Sequence, residues 1–365
     1  MKRAIVLVSL TVLWVSVGCA SLAPEGESAP DRFETFAEWC LHQDNLPPEA
    51  QHTVGVLLTK VETQDCAQAD ERLVARTKLV LDSREIRDVS PLASLTWLTD
   101  LGLTNNYILD VVPLARLTNL TTLAINANSL SNVTQLASLT NLQALFLSGN
   151  RIADIAPLAS LTHLTKLGLQ DNQISDVTPL ASLTHLTSLA LMNNQIADVT
   201  NLGHLTRLKQ LWLNRNPITD VTALAKLTHL TRLFLIETRV TDVTPLAELP
   251  QLDELSLMSN QITDVASFAH LTNLQALDLD GNAITDVTPL GELTNLQVLD
   301  LSNNQIVDVT PLGNLTSLKV LSLGNNQITD VTPLARLTDL FSLSLSGNLL
   351  ENRICPVQPE TICQF

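Results

Sequence analysis

The sequence predicts an α/β solenoid: a curved parallel β-sheet on the inner face, an irregular or 3₁₀ outer face, and a small helical cap at the N-terminal end. Three observations carry this. An Asn returns at a 22-residue interval, at 106, 128, 150, 172, 194, 216, 260, 282, 304, 326 and 348, and a fixed period of that length is the mark of stacked repeats. Hydrophobic residues make 45% of the chain but aromatics only 3%, so an aliphatic interior, chiefly Leu, has to carry the fold. Before residue 76 the apolar residues recur at helical spacing instead.

Taken in order, residues 1–18 read as a signal peptide. A short basic start, Met1 to Arg3, precedes an apolar run from Ala4 to Val17 that is too short to span a bilayer. Ser16-Val17-Gly18-Cys19 resembles a bacterial lipobox, which implies Cys19 as the lipidated first residue of the mature chain. Ser16 departs from the Leu that pattern prefers, so cleavage after Ala20 or Ala23 stays open. Residues 19–31, small, polar and Pro-containing, form a tether. Asp31 and Glu34 have capping-box spacing for a helix carrying Phe33, Phe36, Ala37 and Trp39. A second helix is expected from Pro47-Pro48-Glu49 with Val54, Leu57, Leu58 and Val61 on one face, and a third over 65–75 with Cys66 and Leu73. Residues 32–75 are thus a helical N-terminal cap, too small to stand alone.

The chain has five Cys. With Cys19 spent on lipid, the others make two local pairs, Cys40 with Cys66 and Cys355 with Cys363, and an exported protein oxidises such pairs by default. Loop closure alone gives about 3.6 and about 2.6 kcal/mol for the two. The alternative is four reduced, buried thiols.

Residues 76–350 repeat one string, seen in full as Leu164-x-x-Leu167-x-Leu169-x-x-Asn172-x-Ile174-x-Asp176-Val177-x-Pro179-Leu180-x-x-Leu183-Thr184. Arg84 stands at the Asn position of a degenerate first copy, and Thr238 at the one missing step. This string resembles the leucine-rich repeat proteins of bacteria, in particular the 22-residue type typical of internalins. The resemblance implies a leucine-rich repeat solenoid of about 13 coils that binds protein through its concave face and is not an enzyme. The physics agrees. One coil cannot bury its own aliphatic positions, so stacking decides stability. The x-Leu-x-Leu-x segment is the strand, with Leu inward. The Asn amide is expected to be buried at the turn, satisfying backbone groups of neighbouring coils. Asp-Val-x-Pro-Leu returns along the outer face, where Pro forbids a sheet ladder. Residues 351–365, with Cys355, Cys363, Ile362 and Phe365, cap the C-terminal end.

With 21 Lys+Arg against 37 Asp+Glu the chain carries a formal charge of −16, which argues against nucleic acid and anionic lipid as partners. Phosphate loops, Cys-x-x-Cys, nucleophile elbows and His-Glu-x-x-His are missing from the sequence, so no catalytic residue, metal site or cofactor is expected. The acidic column at 88, 110, 154, 176, 198, 220, 242, 264, 286, 308 and 330, continued by Asn132, is read as a row of turn caps, with a calcium stripe as the alternative. His163, His185 and His229 share a repeat position with Asn119, Asn141 and Asn273, which favours a solvated coil position over a metal pair.

Function is therefore sought at outward-facing strand positions. Trp212 and Phe234 are lateral neighbours with Ile236, Met192 and Met258 beside them, Arg232 and Arg215 at the rim with Arg239, and Phe146 further along the same row. Large apolar residues facing water on a sheet mark partner sites, and Trp with Arg is hot-spot chemistry. Glu254, Asp278, Asp280 and Asp300 follow as an acidic strip. The expectation is a monomeric, exported cell-envelope protein, on the periplasmic or outer-membrane face. It touches membrane only through its N-terminal lipid, or is otherwise secreted, and it holds a protein partner on the concave face. A spacer or scaffold without specific ligand, and an internalin-like adhesin or effector, are the alternatives.

Overall fold

The computed structural model describes residues 33–365; the expected signal peptide, Cys19 and the tether lie outside the described residues. The chain opens with α1 (Phe36–Leu41), α2 (Pro48–Lys60) and α3 (Cys66–Val74). The capping box expected from Asp31 and Glu34 forms one turn later. Thr35 is the N-cap of α1, its hydroxyl accepting from Glu38 N–H while the Glu38 carboxylate accepts from Thr35 N–H. Asp31 lies outside the described residues, and Glu34 and Phe33 precede the helix. The shift has a reason: Asp70 of α3 accepts from both Phe36 N–H and Ala37 N–H, which fixes where α1 begins. Pro48 opens α2 at a position where its missing N–H costs nothing. Cys40–Cys66 is a disulfide joining α1 to the start of α3.

Hydrogen bonds dock this cap on the first coil, among them His52 Nε2 with Arg84 O at 2.7 Å. Thr53 Oγ1 donates to Asp88 O at 2.6 Å, and Trp97 Nε1 donates to Leu73 O and Arg76 O at 3.2 and 3.1 Å. Phe36, Trp39, Val54, Leu57 and Leu58 complete a core continuous with that of the solenoid.

Fourteen parallel strands follow in sequence order within one sheet, from β1 (Lys78–Val80) through β2 (Asp100–Gly102) to β13 (Ser342–Ser344), with β14 (Cys363–Gln364) last. Each strand from β1 to β12 pairs in register with the one 22 residues on, as in Leu189 opposite Leu211 and Leu211 opposite Leu233, while β13 meets β14 at an offset of 20. The core of one coil is Leu164, Leu167, Leu169, Ile174, Val177, Leu180 and Leu183, none more than 2% exposed. A five-residue 3₁₀ segment, such as Thr178–Ser182, forms the outer face of each coil from Ser90–Ser94 to Thr332–Arg336. In eight of these twelve segments a Pro at the start pre-sets φ.

The buried Asn column works as expected. Asn172 Nδ2 donates to Leu147 O and Leu169 O, both at 3.0 Å, while its Oδ1 accepts from Ile152 N–H at 3.0 Å. Each such side chain bolts a coil to the one before it. At the far end the disulfide Cys355–Cys363 folds the tail back, and β14 adds a strand to β13, with Leu345 N–H donating to Gln364 O at 2.7 Å. The C-terminal cap thus extends the sheet as well as covering it, a role the tail's composition did not suggest.

Candidate functional site

Each coil presents outward residues on the inner sheet face, and the row between the two strand leucines carries the large aromatics. In β4 (Ala144–Phe146), β5 (Lys166–Gly168) and β6 (Ser188–Ala190) it reads Phe146, Gly168, Ala190; in β7 (Gln210–Trp212), β8 (Arg232–Phe234) and β9 (Glu254–Ser256) it reads Trp212, Phe234, Ser256; in β10 (Ala276–Asp278) and β11 (Val298–Asp300) it reads Asp278, Asp300.

Trp212 and Phe234 are opposite each other in the β7–β8 register, and their rings stack with centroids 5.9 Å apart and planes 5° from parallel. Both are half-buried, as are Met192, Ile236 and Met258 around them. The patch is therefore an apolar shelf, each member partly covered by its neighbours. Phe146 is half-buried too, but belongs to β4, three strands from Trp212. Its ring lies over Gly168, where an added Cβ would sit 3.2 Å from Phe146 Cδ1. A side chain at 168 would press on the Phe146 ring, on Gln170 Oε1 and on Ser148 Oγ, all within 3.2 to 3.3 Å of its Cβ.

Two of the three rim arginines, Arg215 and Arg232, are already engaged within the chain. Arg215 forms a two-pronged pair with Glu237, Nε to Oε2 and Nη2 to Oε1 both at 3.1 Å, and Arg232 Nε meets Glu254 Oε2 at 3.3 Å. The Arg215 bonds hold the Glu237 carboxyl below its ordinary range and raise the Arg215 guanidinium. Both pairs are exposed, so they orient the arginines more than they stabilise the fold.

Behind the shelf the repeat breaks its own rules. The residue before each Asn is in the left-handed region, and at most coils it is Asn, Asp or Gly, which accept it. Arg215, Glu237 and Ser259 occupy it consecutively, at φ 55°, 51° and 56°, and Ser83 and Ala127 occupy it singly in coils away from the shelf. Thr238 cannot reach as Asn does: its hydroxyl lies near Leu235 O and Asn260 Oδ1, and Ile218 N–H turns to Asn216 O, 2.8 Å away. Pro217 removes the N–H that at Gln195 bonds Ile174 O at 2.8 Å. Sequence reasoning found Thr238 but missed this run, although the 22-residue spacing of left-handed positions was there to be read. Gly168 and Ala190, the open ground between Phe146 and Trp212, were also missed as parts of the site.

The acidic strip is compact. Asp278 and Asp300 face each other across β10–β11. Burial pushes the Asp278 carboxyl up, against donation from Ser256 Oγ at 2.7 Å and Asp280 N–H at 3.1 Å, with the charges of Asp300 and Asp280 adding to the rise. Asn303 donates to Asp280 Oδ1 at 2.6 Å.

The outer-face columns are structural in geometry. Asp176 Oδ1 accepts from Thr178 N–H at 2.8 Å, and the same bond recurs from Asp88 to Asp330, with Asn132 serving equally. His163, His185 and His229 each set Nδ1 on a carbonyl of the preceding coil at 3.0 to 3.1 Å, as the amides of Asn119, Asn141 and Asn273 do at 2.7 to 2.9 Å. Among the described residues no cluster of His, Cys, Asp and Glu is placed to hold a metal ion, and no helix is long and apolar enough to cross a membrane.

The family described as Leucine Rich repeats (2 copies) matches at residues 118–160, 140–182, 162–204, 184–226, 206–248, 250–292 and 294–336. Among solved structures the chain is similar to an internalin, InlF, of Listeria monocytogenes: 34% identity over 84% of this chain and 94% of that one, TM-score 0.79. It is similar also to a leucine-rich repeat protein of Leptospira interrogans, at 29% identity over 74% and 70% of the two chains, TM-score 0.68. A third is the repeat ectodomain of a plant membrane receptor kinase of Arabidopsis thaliana, in complex with Casparian strip integrity factor 2. It is 26% identical over 77% of this chain and 40% of that one, TM-score 0.64. No curated protein sequence matches significantly.

Proposed function

The chain belongs to the leucine-rich repeat family, and on that premise we propose that it is a protein-binding module whose partner sits on the concave sheet face. The observation that carries this is the Trp212–Phe234 stack, a half-buried aromatic pair on the inner face of a protein with 3% aromatics. Folding does not require it, because Gly102, Ala124, Ser322 and Ser344 hold the same row elsewhere without loss of register. Trp212 and Phe234 are the anchors, Met192, Ile236 and Met258 the apolar surround, and Arg215 and Arg232 a rim held in place by Glu237 and Glu254. A rigid sheet presents these anchors with little entropy lost on binding. Support also comes from the plant ectodomain, which is itself in complex with a second molecule.

A photo-crosslinker at position 212 of the full chain tests this against one at Thr178 on the outer face. Capture from 212 alone is expected, with binding weakened at least about tenfold in Trp212→Ala/Phe234→Ala while the circular-dichroism melt keeps its shape. Equal capture from both positions refutes the concave site and favours a spacer.

The same proposal places the protein in the cell envelope as a monomer, tethered by lipid on Cys19, with residues 1–18 removed. Fatty-acid labelling that disappears in Cys19→Ala is the expected result; labelling unchanged by that substitution excludes the anchor.

A further inference from the structure

The inner face has a second feature beside the aromatic stack, and a charge gradient that runs past both. Phe146 leans on Gly168, and Trp212 stacks on Phe234, so Ala190 is the small residue left between the two rings along the row. Phe146 over β5 and Trp212 over β7 stand about 10 Å apart, two strand spacings. That spacing leaves a gap in the row the width of one aliphatic or aromatic side chain, with Ala190 beneath it and Met192 the next outward residue along the chain. Past the stack, Asp278 and Asp300 are half-buried and aligned across β10–β11, with Asp280 alongside. At the Phe146 end of this gap, β5 itself carries an exposed cation, Lys166.

From this arrangement, which rests on the concave-face reading above, we propose that the occupant is a cationic peptide segment lying extended across the strands. It seats a large apolar side chain between Phe146 and Trp212 and sets a Lys or Arg over Asp278 and Asp300. The distance from β6 to β10 is four strand spacings, about 19 Å, which an extended chain covers in about six residues. Direction follows from charge. Lys166 repels a basic residue at the gap end, and the half-buried acids reward one at the far end, where reduced solvent strengthens the attraction. Arg232 does not cancel these acids, being tied to Glu254. Like-charged Asp278 and Asp300 also repel each other, and a bound cation relieves that.

The probe is a displayed library of random twelve-residue peptides panned on the full chain, with the selected consensus resynthesised and titrated by fluorescence anisotropy. The expected consensus has an aromatic or large aliphatic residue and a Lys or Arg five to seven positions apart. Its affinity should fall about tenfold in Asp278→Asn/Asp300→Asn, and about tenfold again in Ala190→Trp, which fills the gap, with unchanged circular dichroism in both. Peptides that depend on Trp212 and Phe234 but ignore Asp278→Asn/Asp300→Asn and Ala190→Trp overturn this inference and leave the concave site standing. Peptides indifferent to Trp212→Ala/Phe234→Ala overturn both, and a library with no enriched sequence overturns the peptide assignment while the crosslink from position 212 decides the site.

Discussion

The outer face and turns of this solenoid differ from its inner face in what they repeat. Along the turn, Asn after Asn makes the same bonds at the same lengths, and along the outer face Asp, or once Asn, caps the same N–H. On the inner face the register repeats but the chemistry does not: glycine and alanine give way to tryptophan and phenylalanine, then to aspartate. Identical columns are what stacking demands, since each coil is the template for the next. A column that changes obeys some other demand. The contrast is sharpest at Arg215, Glu237, Thr238 and Pro217, where the turn itself departs from type directly beside the aromatic shelf.

The largest test of this contrast lies between adjacent residues. Leu211 points into the core with no exposed surface, while Trp212 points out. Leu211→Ala should cost about 3 to 4 kcal/mol in urea unfolding through lost burial and a cavity, whereas Trp212→Ala should cost about 1 kcal/mol of stability and most of the partner affinity. Equal destabilisation by the two would erase the distinction between scaffold and site. Asn172→Ala comes next. It strands Ile152 N–H in a buried turn and leaves Leu147 O and Leu169 O with one donor each, from Asn150 and Asn194, for about 2 kcal/mol, and leaves binding at the shelf untouched once the folded fraction is measured.

Much of this was legible beforehand because it is periodic. The 22-residue rhythm predicted the strands, the Leu interior, the Asn bolts and the Asp caps, each forced by geometry that every coil shares, and the even count of Cys left after Cys19 predicted both disulfides. What escaped was set by single contacts. The start of α1 is decided by Asp70, far away in sequence, and so moved off Asp31 and Glu34. The strand β14 depends on a tail folded by its own disulfide. In the site, the aromatic row could be read off the period. The capture of Arg215 and Arg232 by Glu237 and Glu254 could not, because exposed side chains choose partners by rotamer and not by position. Nor could the lean of Phe146 over Gly168, which needs the ring's direction as well as its row.

The break at Thr238 gives a smaller effect of opposite sign. Thr238→Asn should restore a carbonyl for Ile218 N–H and a donor for Leu213 O, and raise stability by about 1 kcal/mol. Hydrogen exchange at Ile218 reads this locally: its amide, now bonded to Asn216 O, should gain protection. If stability rises while partner binding weakens, the irregular turn belongs to the site. A rise with binding unchanged makes it drift.

The smallest single-residue effect is expected on the outer face. Hydroxyl and backbone donors of Thr178 lower the Asp176 carboxyl below its ordinary range, and Thr200, Thr222, Thr244, Thr288, Thr310 and Thr332 do the same for Asp198, Asp220, Asp242, Asp286, Asp308 and Asp330. A carboxyl depressed in the folded state contributes stability that is whole above its unfolded value, about 3.9, and is lost as pH falls through the folded one. The solenoid should therefore hold its melting temperature from pH 7 to about 5 and lose it progressively below about 4. Asp176→Asn isolates one link. Asn132 shows that an amide oxygen accepts the same bond, at 2.9 Å from Thr134 N–H, so the variant should melt close to the parent at pH 7. Its oxygen does not titrate, so the small gap should close as acid neutralises Asp176 in the parent. A gap that is large at neutral pH, or that widens in acid, would mean that this column does more than cap turns.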